Sequence, residues 1–258
     1  MTCRLLVDVG NSRIKWALLS PEGLSLFTPF ESDPQDLMAS LDQAWGALSP
    51  PSAVALSNVR GEVVESLILD WVRSTWKIEV FVAKTQEKAG DLLNGYREPQ
   101  TLGVDRWLGL LGLSTIASLP AMIVDLGTAI TLDLLDHEGQ HLGGYIAPGL
   151  QAMHEALAGK THALKAPALE APTQGAPAKD TAEGIARGCC LAAAGLIEKV
   201  ALQLRGKETF PLIVVLTGGD AESIGSHLSI PYRIDQTLIF RGLERMFWPR
   251  SSRNGIPS

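Results

Sequence analysis

Leu5 to Gly23 reads LLVDVGNSRIKWALLSPEG, and Met122 to Gly139 reads MIVDLGTAITLDLLDHEG. Each stretch has an apolar run, then Asp-x-Gly and a small polar residue, then a second apolar run ending Leu-Leu-x-x-Glu-Gly. The pattern predicts a strand over Leu5–Val9 with a hairpin partner over Ile14–Leu19, and the same pair over Ala121–Leu126 and Ile130–Leu135. Asp8 and Asp125 stand 117 positions apart (125 − 8), close to half of the 258-residue chain. A hairpin that recurs at half-length predicts two similar domains, each opening on a turn that faces a cleft. The expected division is 1–118 and 119–248, with a disordered tail over 249–258 that lacks any periodicity.

Between the hairpins, Pro34–Trp45 and Val63–Trp76 carry helical periodicity, while Ala53–Leu56 and Glu79–Val82 read as strands. Alternation of this kind is an α/β signature. In the second half, Lys165–Lys179 is rich in Ala and Pro and is expected to be an extended surface loop. Thr181–Leu204 reads as a long helix with Ile185, Cys189, Ala193, Leu196, Val200 and Leu204 along one stripe. Leu212–Leu216 is an apolar strand running into Thr217-Gly218-Gly219.

Composition narrows the function. Hydrophobic residues make up 46% and charged residues 19%, as in soluble globular proteins. A net charge of −6 argues against nucleic acid or an anionic membrane as the main partner. Of the three cysteines, Cys189 and Cys190 are adjacent, which is neither a disulfide framework nor a zinc pattern. The longest apolar stretch, Cys189–Ile197, falls short of the roughly 20 residues a membrane helix needs. A soluble protein of the reducing cytoplasm is expected.

Three segments could carry chemistry. In DVGNSRIK, Asp8, Val9, Gly10, Asn11, Ser12, Arg13, Ile14 and Lys15, the glycine lets backbone N–H groups approach a phosphate. Asn11 and Ser12 add donors, Lys15 can reach terminal phosphate oxygens, and Asp8 can hold a hydrated divalent cation. An ordinary polar hairpin turn accounts for the same residues. DLGTAIT, Asp125 to Thr131, supplies a second such turn, with Thr128 where Asn11 lies in the first. In LTGGDA, Leu216 to Ala221, paired glycines after a strand allow a flat nucleoside face to come close to the backbone. No Walker-type or dinucleotide-binding glycine motif occurs at a strand–helix junction. His137 and His141 flank the Glu138-Gly139 turn, off any helix, and do not read as a zinc pair.

Strand–turn elements in this order resemble the actin, sugar-kinase and heat-shock ATPase superfamily, a duplicated ribonuclease H-like fold. GYREPQTLGVDRW (Gly95–Trp107) resembles the corresponding segment of type III pantothenate kinases. GGYIAPGLQAM (Gly143–Met153) is similar to that family's Gly-Gly-x-Ile-x-Pro-Gly loop, and TAEGIARG (Thr181–Gly188) to its helix start. With both hairpins and the Thr-Gly-Gly junction, these matches run in order from Asp8 to Gly219. The resemblance implies ATP-dependent phosphorylation of pantothenate, the first step toward coenzyme A. It implies that Asp8–Lys15 and Thr128 bind ATP, brought with Mg2+. Asp105 would be the base that takes the hydroxyl proton. Tyr96, Gly103, Val104, Arg106 and Thr181 would bind pantothenate together with Asp105. Asp125 would ligate a monovalent cation, K+ or NH4+, and the protein would be a homodimer. Asp180 stands where Asn is usual and Gly184 where Ala or Ser is usual, which bears on the contacts of Thr181.

The residues admit other assignments. Asp105 and Arg106 could form a structural ion pair, and Thr181 could serve as the helix N-cap, with Glu183 in its first turn. The apolar run Trp107–Leu113 could face a partner subunit or fill its own domain. A non-catalytic accessory protein of the same fold, and a kinase for another small hydroxylated acid or sugar, are the competing functions.

Overall fold

The computed structural model describes residues 3–31, 33–158, 177–205 and 211–249. The loop expected over Lys165–Lys179, apart from 177–179, and the tail beyond Pro249 lie outside them. The chain divides into two compact units. The first comprises Met1–Ala89, Glu98–Thr115 and Thr237–Ser258; the second comprises Gly90–Arg97 and Ile116–Gln236. The single cut expected at 118/119 is thus replaced by four crossings, one of which returns the last helix to the first unit.

The first unit is built on a sheet with strand order Gly23–Leu26, Arg13–Ser20, Arg4–Val9, Ala53–Asn58, Val80–Val82, to which the short Phe30–Glu31 adds beside Arg13–Ser20. The first three are antiparallel neighbours and the last two run parallel to Arg4–Val9. The second unit repeats this order with His141–Pro148, Ala129–Leu135, Ala121–Leu126, Ile213–Thr217 and Arg233–Ile234, in the same orientations. The duplication extends to register. Asp8 lies opposite Lys15 and Ser57, and Asp125 lies opposite Thr131 and Thr217. The turns differ by one residue, since Val9 pairs with Ile14 and Leu126 with Ile130.

Strands buried on both faces need near-continuous apolar runs, and Leu5–Val7 and Ala121–Val124 supply them. Leu5, Val7 and Val9 face a core closed by the helices Leu37–Trp45 and Glu62–Trp76. Leu37, Leu41 and Trp45 recur every fourth residue, the spacing of one helix face. Trp45 sits among Trp16, Trp71 and Trp76, with ring centroids 5.7–6.3 Å away. In the second unit Met122, Val124 and Leu126 face a core that includes Cys189, Ala193 and Val200 of the helix Thr181–Arg205. That is the predicted stripe, with Ile185, Leu196 and Leu204 at its partly buried margin.

The run Trp107–Leu113 lies in the helix Val104–Ile116, and every residue from Trp107 to Leu113 is buried. The helix Leu238–Phe247 covers it. A Cβ on Gly112 would meet the Leu238 carbonyl oxygen at 2.0 Å, and one on Gly242 would meet that of Leu108 at 2.1 Å. Two glycines therefore let these helices touch backbone to backbone. The run fills its own unit, which is the own-domain reading of the two left open, and the partner-face reading falls away.

Candidate functional site

The first turn is fixed from within and from beside. The Gly10 N–H donates to the Arg13 carbonyl at 3.0 Å, closing the hairpin. Asn11, Ser12 and Arg13 are exposed at its tip, Lys15 is half-buried, and Asp8 is buried at 3% exposure. The loop after the parallel strand supports it: the Val59 N–H donates to the Val9 carbonyl at 3.1 Å, and the Arg60 guanidinium donates to the Asn11 carbonyl. Arg60 was missed in the sequence, where it is a lone cation after a strand. Beside Asp8 in register, the Ser57 hydroxyl is buried with no hydrogen-bond partner among the described residues.

Asp105 lies in the first turn of Val104–Ile116, where exposed amide ends favour an anion. Its Oδ1 accepts from the Arg106 N–H at 2.8 Å. A Cβ on Gly103 would stand 2.6 Å from Oδ1, so any larger residue there would require the folded-back carboxylate to swing aside. Gly103 in turn accepts the Trp107 N–H at 3.0 Å and so begins the helix. Gly103, Val104, Asp105 and Arg106 are all half-buried.

In the second unit, Asp125 lies over the Thr217-Gly218-Gly219 junction. A Cβ on Gly218 would stand 2.5 Å from both Asp125 Oδ1 and the Leu126 carbonyl oxygen, and the residue has φ +93°. Only glycine satisfies both conditions. Gln236 clamps the same residue, accepting the Gly218 N–H at 3.1 Å and donating to its carbonyl at 2.9 Å. Nothing lies within 4 Å of a Cβ on Gly219, so the junction is open there. Thr128 is exposed, and its carbonyl accepts the Gly149 N–H at 3.2 Å from the loop of GGYIAPG. Asp220 continues the junction, and burial pushes its carboxyl above the ordinary aspartate range. No local pattern marks Gln236, whose role depends wholly on where the chain returns.

Tyr96 belongs to the second unit, where its ring stacks on the His141 imidazole. Thr181 opens the long helix with an exposed side chain, but it is not the cap. Asp180 Oδ1 accepts the Glu183 N–H at 2.9 Å, and Glu183 Oε2 accepts the Lys179 N–H at 3.0 Å. Asp180 thus does the capping work that Asn also does well, so the departure at 180 leaves the Thr181 hydroxyl unengaged by the cap. His137 is exposed and His141 buried against Asp133, so the two do not converge. Among the described residues no three His, Cys, Asp or Glu side chains gather as a metal site. None of the described helices is long and apolar enough to cross a membrane.

Known proteins resemble the chain along most of its length. The chain is similar over 96% of its length to the solved structure of MreB 5 of Spiroplasma citri bound to AMPPNP (96% of that chain, TM-score 0.51, 11% identity). A Campylobacter jejuni protein described as a Baf family transcriptional activator matches over 94% of this chain and 96% of its own (TM-score 0.58, 20% identity). These likenesses show the duplicated actin-like ATPase fold. A type III pantothenate kinase from Nitrosococcus oceani is 35% identical over 254 residues, covering 94% of this chain and 92% of its own. One from Ectopseudomonas mendocina is 33% identical over 243 residues, 93% and 96% of the two chains. The family model for type III pantothenate kinase matches residues 4–203, from the first strand through both turns, Asp105 and Thr181. The chain therefore belongs to the type III pantothenate kinase family.

Proposed function

We propose that the protein transfers the γ-phosphoryl group of ATP to the primary hydroxyl of pantothenate, giving ADP and 4′-phosphopantothenate in the cytoplasm. The observation that carries this reading is the continuous match over residues 4–203, which includes a carboxylate, Asp105, poised at a helix start. In this reading Asp8–Lys15 and Thr128 bind ATP, which arrives with Mg2+. Gly10 frees the backbone to approach phosphate, and Lys15 offsets charge at the terminal oxygens. Tyr96, Gly103, Val104, Arg106 and Thr181 hold pantothenate. Asp105 orients its hydroxyl and takes the proton as the P–O bond to ADP breaks and the new one forms. A weak base suffices, because a loose phosphoryl-transfer transition state chiefly demands that the nucleophile be placed.

Asp125 is assigned to a monovalent cation. Its carboxylate is half-buried at the strand end beside the Gly218 backbone, an oxygen ligand of the kind hard cations take. When bound, K+ or NH4+ would supply positive charge near the nucleotide phosphates. A homodimer completes the reading. It is supported by Leu142, Tyr145 and Ile146, which are exposed by 47–65% along the edge strand His141–Pro148. Net charge −6 argues against nucleic acid or an anionic membrane as the main partner and does not oppose an anionic substrate, because a site can be locally positive.

The test is ADP release from ATP with pantothenate against a panel of other small alcohols, in K+, NH4+ and Na+ buffers. Pantothenate should be preferred, and K+ or NH4+ required. Equal turnover of an unrelated sugar or hydroxy acid would refute the substrate, and equal rates in Na+ would refute the cation. A binding-only accessory protein would release no ADP with any acceptor.

A further inference from the structure

Asp133 and His141 form a buried pair that the phosphoryl-transfer reading does not use. Their side chains are 2% and 0% exposed, and His141 Nε2 lies 2.9 Å from Asp133 Oδ1. Burying a carboxylate with an imidazole is costly, and an apolar pair of the same size would hold the sheet as well. The chain nonetheless makes a special arrangement to place it. Asp133 pairs with Gly144 but Leu135 with His141, so the edge strand carries one extra residue, and Gly143 there takes φ +98°. Without that bulge Leu142 would stand opposite Leu135. With it, His141 turns inward to Asp133 and Leu142 turns out, 51% exposed.

The other side of the imidazole faces the segment that carries Tyr96. The Gly95 N–H donates to His141 Nδ1 at a long 3.4 Å. With the proton on Nε2 shared toward Asp133, both ring nitrogens are then used and the ring plane is fixed. The Tyr96 ring stacks on that plane, with centroids 5.8 Å apart and 13° between planes. Gly95 is pressed so close that a Cβ would stand 1.7 Å from the His141 carbonyl oxygen. The same segment is stitched on upstream, where the Leu93 N–H donates to the Gly139 carbonyl at 3.2 Å.

We propose that His141, oriented by Asp133, is a positioning residue for the acceptor substrate: it fixes the Gly95 backbone and the Tyr96 ring in the attitude that pantothenate meets. This rests on the reading of Tyr96 as a pantothenate contact. The effect should fall on acceptor binding and spare the nucleotide, since none of these contacts touches either phosphate turn.

The experiment uses the full chain as wild type, as Asp133→Leu/His141→Phe, and as His141→Asn. The double variant keeps a ring for Tyr96 and an apolar core but removes the acceptor for Gly95; Asn keeps an acceptor but no ring. Two readouts are taken: KM for pantothenate and for ATP, and hydrogen exchange across the 91–97 segment, which needs no substrate. The double variant should raise the pantothenate KM on the order of tenfold, the scale of a sub-ångström misplacement of a contact. His141→Asn should raise it less. In both, the ATP KM should stay within twofold, and exchange should quicken in 91–97 while the rest of the second unit keeps its protection. An unchanged pantothenate KM, parallel rises in both KM values, or unfolding of both variants would overturn the proposal, because the pair would then be scaffold alone. A wild-type protein that releases no ADP with pantothenate would instead refute the functional reading. The exchange comparison would still show whether the pair holds the segment.

Discussion

Replacing Gly103 by alanine should disable the protein without unfolding it. Gly103 does not occupy a positive-φ conformation, so the substitution carries no left-handed strain. The methyl group would stand 2.6 Å from Asp105 Oδ1, where ordinary contact begins at 3.4 Å, a deficit of about 0.8 Å. The obstructing atom is the far end of a side chain, so the carboxylate can swing away, surrendering its 2.8 Å bond from the Arg106 N–H. Loss of glycine where the helix begins should cost about 1 kcal/mol or less, a shift in Tm of a few degrees for a chain of this size. Catalysis is less forgiving. A base displaced by most of an ångström should lower kcat on the order of 10²-fold, with ATP affinity unchanged. Steady-state ADP release, ATP titration by calorimetry and a thermal melt together check this. A variant with kcat within threefold of wild type would show that the Asp105 carboxylate need not sit where the structure holds it. A collapse in Tm would show that Gly103 serves the fold.

Asp105→Asn should leave fold and ATP binding intact while kcat falls on the order of 10²-fold or more, the usual worth of a positioned base; turnover near wild type in the same assay would remove the assignment. Gly242→Ala is the counterpart of Gly103→Ala, because its Cβ would strike the Leu108 backbone carbonyl at 2.1 Å. Neither helix can yield locally, so stability should fall by about 2–3 kcal/mol, read as a Tm several degrees lower; an unshifted melt would refute the close packing. Asp220→Asn should raise Tm at pH 7, because burial lifts the Asp220 carboxyl in the folded state. A folded value above the unfolded one gives stability that is complete below the unfolded pKa, about 3.9, and lost as pH rises through the folded value. The gain from Asn should therefore vanish in melts below about pH 4, and a gain that persists there would contradict a titration origin.

The parts of the fold that repeat within the chain were legible, since Leu5–Val9 and Ala121–Leu126 announce themselves by apolar runs ending in Asp-x-Gly. Their hairpins appear where expected to within a residue. The stripe of Thr181–Arg205 was legible for the same reason, because periodicity is a local property. Contacts that join distant segments left no such mark. Gln236 meets Gly218 and Gly95 meets His141 because of tertiary return, and a single Gln or Gly in a polar stretch carries no period. Trp107–Leu113 left two readings open because an apolar helix reads alike whether its cover is another subunit or a distant helix of the same chain. At Thr181 the capping signature was present in Asp180-Thr181-Ala182-Glu183, but the hydroxyl drew attention one residue too late. The close fit at Gly103 was visible only as part of a motif; its cause, a carboxylate folded back on its own helix, is a matter of ångströms.

The return of Leu238–Phe247 to the first unit sets a schedule for the nascent chain. The strands and tryptophan cluster of residues 4–82 can collapse early, being local. The helix Val104–Ile116 cannot, because the surface around Gly112 and Leu108 is covered by residues made only after the whole segment Ile116–Gln236. Asp105 begins that helix, so the proposed base is built on an element whose packing is completed only after the second unit's main segment has been made. A chain interrupted after Gln236 would hold both Asp-x-Gly hairpins and the second unit entire, yet leave the Leu108 and Gly112 face of Val104–Ile116 uncovered. Apolar surface left exposed in this way makes a fragment prone to aggregate.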